Sequence, residues 1–214
     1  HGRSFWVLDD TAPLAEWSES LDSPVHIYSI RPTTLFHYWK DTSYRGQEEW
    51  TGPNPDYGAI INFIVNSNEG QAVIEIKRRN KTIRSYQLSV SPGVINRFVW
   101  DLKHPPPPFI ENNKETTGLI KPDKSELLPI PAHSLDPQGP HVSPGVYTVI
   151  VSVGNKSHSQ TVRVNGDPKL NLRTGDYRQR EKFLIELHAL HKQAFTLNEK
   201  LKEMVKQSSK TMKA

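Results

Sequence analysis

The chain contains no cysteine. Disulfides, thiolate nucleophiles and cysteine-ligated zinc are therefore excluded. Hydrophobic residues make up only 35% of it, against the roughly 45–50% apolar share, glycine included, of a compact globule. No run of about 18 apolar residues occurs, so no transmembrane helix is expected. His1 is not followed by a charged stretch and an apolar core, so no signal peptide is expected within the chain. No G-x-S-x-G elbow, Gly-rich phosphate loop or HExxH motif is present. The commonest signatures of hydrolase, nucleotide and metalloprotease chemistry are thus missing.

Proline is plentiful instead, at 17 of 214 residues. Ten of these fall within 103–144, four of them consecutive from Pro105 to Pro108. Proline lacks the amide donor and fixes φ, so neither a ladder nor a helix is expected there. The stretch reads as a long excursion between two strands, partly polyproline II in character.

Strand patterns flank that excursion. They cover 58–66, 71–78, 82–88, 94–102, 145–153 and 157–164, with turn signals at Asn80-Lys81 and Gly154-Asn155-Lys156. No helical pattern separates them, so an antiparallel sandwich is expected rather than βαβ units. A further short strand is expected at 3–8. It stops at Asp9 and Asp10 and has no obvious hairpin neighbour, so it reads as the edge of a sheet left behind. Residues 11–57 hold one possible strand, Val25–Ile30. The rest is expected to be a linker crossing a surface, with Trp17, Trp39 and Trp50 as anchors or, alternatively, as a sugar-stacking platform.

Beyond 176 the period changes. Phe183, Leu187, Leu190, Ala194, Leu197, Leu201 and Met204 are spaced 4, 3, 4, 3, 4, 3. That is a strict seven-residue seam on one helix face. Asp176 followed by Gln179 suggests a capping box with Asp176 as N-cap. The seam needs a surface to cover it, either the β domain or another helix. Charge is concentrated here too: 177–214 carry nine Lys/Arg and four Glu, whereas 1–176 are nearly balanced. Such charge can bind anionic surfaces, but a solvated helix face is the reading adopted.

No other group of residues forms a persuasive catalytic set. His188 and His191 lie one turn apart, yet no third ligand is apparent, so no metal is expected. Asp9, Asp10, Asp56 and Asp101 show no spacing that sets the carboxylate pair needed for glycoside hydrolysis. Lys77 to Lys81 are basic but sit at a hairpin tip, so no nucleic-acid site is expected. Sequons at Asn80 and Asn155 fall in expected turns and matter only in a eukaryotic secretory setting.

Three motifs carry a family resemblance. His1-Gly2-Arg3-Ser4-Phe5-Trp6-Val7-Leu8-Asp9-Asp10 resembles the end of the β-propeller in bacterial sortilin-like, BNR/Asp-box "glycosyl hydrolase" proteins. Gly52-Pro53-Asn54-Pro55-Asp56-Tyr57-Gly58-Ala59 resembles the strand entry that follows it. Asn96 to Leu102, with Gly139-Pro140 and Pro144 to Val149, resembles the Ig-like domain of flagellar hook-capping proteins. The resemblance implies a mainly β chain: residues 1–10 as a last propeller strand, 11–57 as linker, 58–168 as an Ig-like β-sandwich with the 103–144 insertion, and 169–214 as an amphipathic helix. It also implies a secreted or periplasmic bacterial protein whose propeller precedes residue 1. No Asp-box occurs here and no catalytic residue carries over.

The expected function is a non-catalytic accessory module at the C-terminus of a larger propeller protein. No cofactor is expected. The expected partners are that propeller and a helix in the same or another chain, with Phe183, Leu187, Leu190, Leu197, Leu201 and Met204 as docking residues. The alternative is a carbohydrate-binding accessory domain using Trp17, Trp39 and Trp50 on a glycan.

Overall fold

The computed structural model describes residues 10–37, 56–67, 70–107 and 139–211. Two compact units divide the chain. One comprises residues up to 102 with 142–177; the other comprises 103–141 with 178 onward. The architecture is mainly β, with two sheets and one long C-terminal helix.

The first unit opens with two short helices, α1 (Ala12–Ala15) and α2 (Trp17–Leu21). Strands β1 (Val25–Ile27), β3 (Ala59–Val65) and β6 (Ile95–Trp100) form one antiparallel sheet in the order β1-β3-β6. The other sheet joins β2 (Thr33–Thr34), β4 (Gln71–Arg78), β5 (Lys81–Ser89), β7 (Gly145–Val153) and β8 (Lys156–Asn165) in the order β2-β8-β7-β4-β5.

Alternation explains the strands. In β4, Ala72, Ile74 and Ile76 are buried while their neighbours are partly exposed. In β7, Tyr147, Val149, Val151 and Val153 are buried in the same way. These side chains join Ala59, Ile61, Phe63 and Trp100 of the other sheet in a single buried cluster. Each fully buried aliphatic side chain contributes about 1.5–3 kcal/mol. Where the sheets meet, the Trp100 and Tyr147 rings lie 5.2 Å apart, edge to face. The Tyr147 hydroxyl donates to the Ser143 carbonyl at 2.6 Å, so its buried polar end is satisfied.

The six expected strands all form, to within two residues at each end. The possible strand at Val25–Ile30 forms as β1 over Val25–Ile27, and one further strand, β2, comes from the 11–57 segment. The part read as a surface-crossing linker needs correction at Thr33 to Leu35, where β2 forms and Leu35 is buried. Val25, Ile27, Tyr28 and Leu35 are buried, and β1 pairs with β3. The expectation of purely antiparallel pairing also fails at one place, because β2 runs parallel to β8. A strand of two residues is too short to show a period, so sequence pattern misses β2.

The turns differ in detail. The β4–β5 loop is Arg79-Asn80 rather than Asn80-Lys81, with Arg79 at φ +54°. The β7–β8 loop is Gly154-Asn155, with Gly154 at φ +53°, and Lys156 already pairs with Val153. At Gly58, φ is +136°, and a Cβ there would overlap the Trp100 carbonyl. Only glycine lets β3 begin so close to the end of β6.

Helix α3 spans Thr174–Thr211. It starts two residues before the expected cap. Asp176 lies inside the first turn, where its carboxylate accepts from the Arg173 amide at 2.8 Å. That is the acidic arm of a capping box, so Arg173 rather than Asp176 occupies the cap position.

Candidate functional site

Helix α3 carries the seam foreseen from spacing. Phe183, Leu187, Leu190, Leu197, Leu201 and Met204 are between 52% and 64% exposed, and Ala194 is exposed as well. An ordinary surface scatters single apolar residues. Here they form a continuous stripe along more than twenty residues. Polar flanks keep the helix solvated: Lys182 lies 3.9 Å from Glu186, and Lys202 donates to Glu199 at 2.9 Å.

Part of the stripe lines a cavity of about 690 Å³ within the second unit. Leu184, Leu187, Leu190, Ala194, Pro107 and Pro140 form its apolar lining. Arg180, His141, His188 and His191 add polar groups. The Nε2 atom of His188 is buried without a hydrogen-bond partner among the described residues. His188 and His191 therefore share one concavity. Among the described residues, no group of three or more His, Asp or Glu side chains could hold a metal ion.

A Pro-rich arm is tied to the helix through His104. His104 Nε2 lies 2.8 Å from the Glu181 carboxylate, and both side chains are nearly buried. The His104 amide donates to the Pro140 carbonyl at 2.8 Å, and Lys103 bridges to His141. Gly139 allows the approach, since a Cβ there would overlap the His104 carbonyl. Sequence reasoning missed His104, Glu181, His141 and Arg180. His104 and Glu181 are 77 positions apart, and no local signal links them.

The first unit holds a separate titratable group. His26 Nε2 lies 3.3 Å from a Glu16 carboxylate oxygen, and the Ser29 amide donates to both oxygens of that carboxylate at 3.1 Å. The His26 and His158 rings stack 5.0 Å apart, and His158 Nδ1 accepts the Ile27 amide at 2.8 Å. Burial and the adjacent His26 push His158 below its ordinary pKa, against a smaller opposing pull from Glu16. Burial alone would raise the Glu16 carboxyl. The Ser29 and His26 hydrogen bonds outweigh it, and the net shift is downward. This group ties the junction of α1 and α2 to β1 and β8.

The carboxylates considered for hydrolysis are engaged elsewhere. Asp10 accepts from the Ala12 amide at 3.1 Å and from Asn62 Nδ2 at 2.7 Å. Asp56 pairs with Arg97 at 2.9 Å, and Asp101 with Arg84 at 3.1 Å. Asp9 and the 3–8 segment lie outside the described residues. So do Trp39 and Trp50. Trp17 sits on α2 and is 41% exposed.

Family models, curated proteins and solved structures offer no match to this chain. The site must be judged on its own geometry. Its most developed feature is the exposed seam of α3. No helix among the described residues is long and apolar enough to cross a membrane.

Proposed function

We propose that this chain is a non-catalytic accessory module whose α3 seam docks another protein surface. In this reading the two sheets form an Ig-like sandwich. The module belongs to the C-terminal part of a secreted or periplasmic bacterial protein resembling the sortilin-like, Asp-box propeller family. That propeller is then one partner. The observation that carries the docking reading is the exposure of every large apolar residue on a strict seven-residue seam. A contiguous apolar stripe in water favours association, at roughly 25 cal/mol per Å² covered.

Limited trypsin digestion of the full chain tests it, because Lys192, Lys200, Lys202 and Lys206 lie along the helix. The digest is run on the chain alone and with the propeller portion of its own gene product added. Protection of these sites is expected, and a Leu190→Asp/Leu197→Asp variant is expected to lose it. Equal cleavage of both proteins under both conditions overturns the reading.

A carbohydrate-binding role is the second reading, supported by the exposure of Trp17. Calorimetric titration with polysaccharides should then give heat that Trp17→Ala removes. Absence of heat dismisses it.

A further inference from the structure

We infer that the seam of α3 is covered by a second copy of this chain, in an antiparallel two-stranded coiled coil centred near residue 192. The inference rests on the reading of this face as a docking surface and names its occupant.

The period points to a helix as the partner. An apolar repeat of 3.5 residues stays in line only around another helix, since on a flat surface a straight helix drifts about 20° per heptad. Among the described residues, α1 and α2 have four and five residues, too short to pair along the seam. A second α3, with 38 residues, is long enough.

The heptad also selects the orientation. Taking Leu187, Ala194 and Leu201 as a positions and Leu190, Leu197 and Met204 as d positions, an antiparallel register sets a against d. Leu187 then faces Leu197 of the second copy, Leu190 faces its Ala194, and Phe183 faces its Leu201. A two-fold axis repeats each layer. Every layer with the small Ala194 is filled by a leucine. A parallel pair would set Ala194 against Ala194 and leave a void.

Charge agrees with this register. Glu186 and Lys200 occupy g positions, and antiparallel pairing brings g residues together. Glu186 therefore meets Lys200 of the second copy, twice per dimer. Its present contact with Lys182 is at 3.9 Å between largely exposed side chains, so that contact is weak. In a parallel pair, Lys200 would face Val205 instead, without a charge partner.

Sedimentation equilibrium and single-cysteine cross-linking of the full chain test the inference. The wild-type chain should sediment as a dimer at about 100 μM. Leu190→Glu/Leu197→Glu should sediment as a monomer with unchanged far-ultraviolet dichroism at low concentration. Glu186→Lys and Lys200→Glu should each weaken dimerisation roughly three- to tenfold, and their combination should restore it. The chain has no native cysteine, so Gln193→Cys should form a disulfide dimer under mild oxidation, because residue 193 faces itself across the two-fold axis. A wild-type monomer overturns the inference, as does cross-linking by Ala194→Cys in place of Gln193→Cys, or a double charge variant that stays weak. A monomer whose helix is still protected by the propeller portion removes only the second copy and leaves the docking function standing.

Discussion

The Ile27 amide donates to Nδ1 of His158 across 2.8 Å, joining β1 to the edge of β8. The bond fixes the tautomer: Nδ1 must be bare and the ring neutral while it stands. Ile27 is fully buried, so its amide has no water to turn to.

Removing that acceptor should be costly. His158→Leu leaves a buried amide without a partner and should lower stability by about 1–3 kcal/mol. His158→Asn offers a carbonyl oxygen near the former Nδ1 position and should retain most of it. Urea unfolding midpoints of the two variants check this; equal losses would disprove the role of the acceptor.

Stability should also depend on pH. Burial and the neighbouring His26 lower the folded pKa of His158, so the unfolded chain takes up the proton first as pH falls. The contribution is therefore complete above about pH 6.5 and declines below it. Glu16, also lowered in the fold, adds a second loss below about pH 4.3. Denaturant midpoints from pH 8 down to about pH 3 should fall in that order. His158→Asn should flatten the upper step.

Gly58 should tolerate no side chain. Its φ of +136° and the Trp100 carbonyl beside it oppose any Cβ. Gly58→Ala should cost at least about 1–3 kcal/mol from backbone strain alone. Gly175→Ala is the control. Nothing lies within 4 Å of a Cβ there, and helix propensity makes alanine neutral to about 1 kcal/mol better. Comparison of thermal midpoints separates the two.

Core and seam should respond differently to truncation. Trp100 is fully buried, and Trp100→Ala should cost about 3–5 kcal/mol. Leu201 is 59% exposed, and Leu201→Ala in the dilute chain should change stability by less than about 0.5 kcal/mol. A large loss for Leu201→Ala at low concentration would mean the helix face is already covered.

The strands of the two hairpins were legible because Ile74, Ile76, Val149 and Val151 recur at period two. The α3 seam was legible because leucines recur at 3.5. Of the short strands, Val-His-Ile at 25–27 lay within the possible strand at 25–30, whereas Thr-Thr at 33–34 carries no period of its own and only β8 makes it a strand. The cap was misplaced because Arg173 is a poor cap residue by type. His104 with Glu181, and His158 with Ile27, unite residues far apart in the chain.

Taken alone, then, the sequence determined what repeats locally: alternating faces and a leucine seam. Those properties follow from side-chain periodicity and backbone sterics within a few residues. Tertiary structure decided the strand order, the parallel pairing of β2 with β8, and the contacts of His104 and His158. Such contacts depend on closing long loops around a shared core, and no local pattern encodes which distant partner will fill each place.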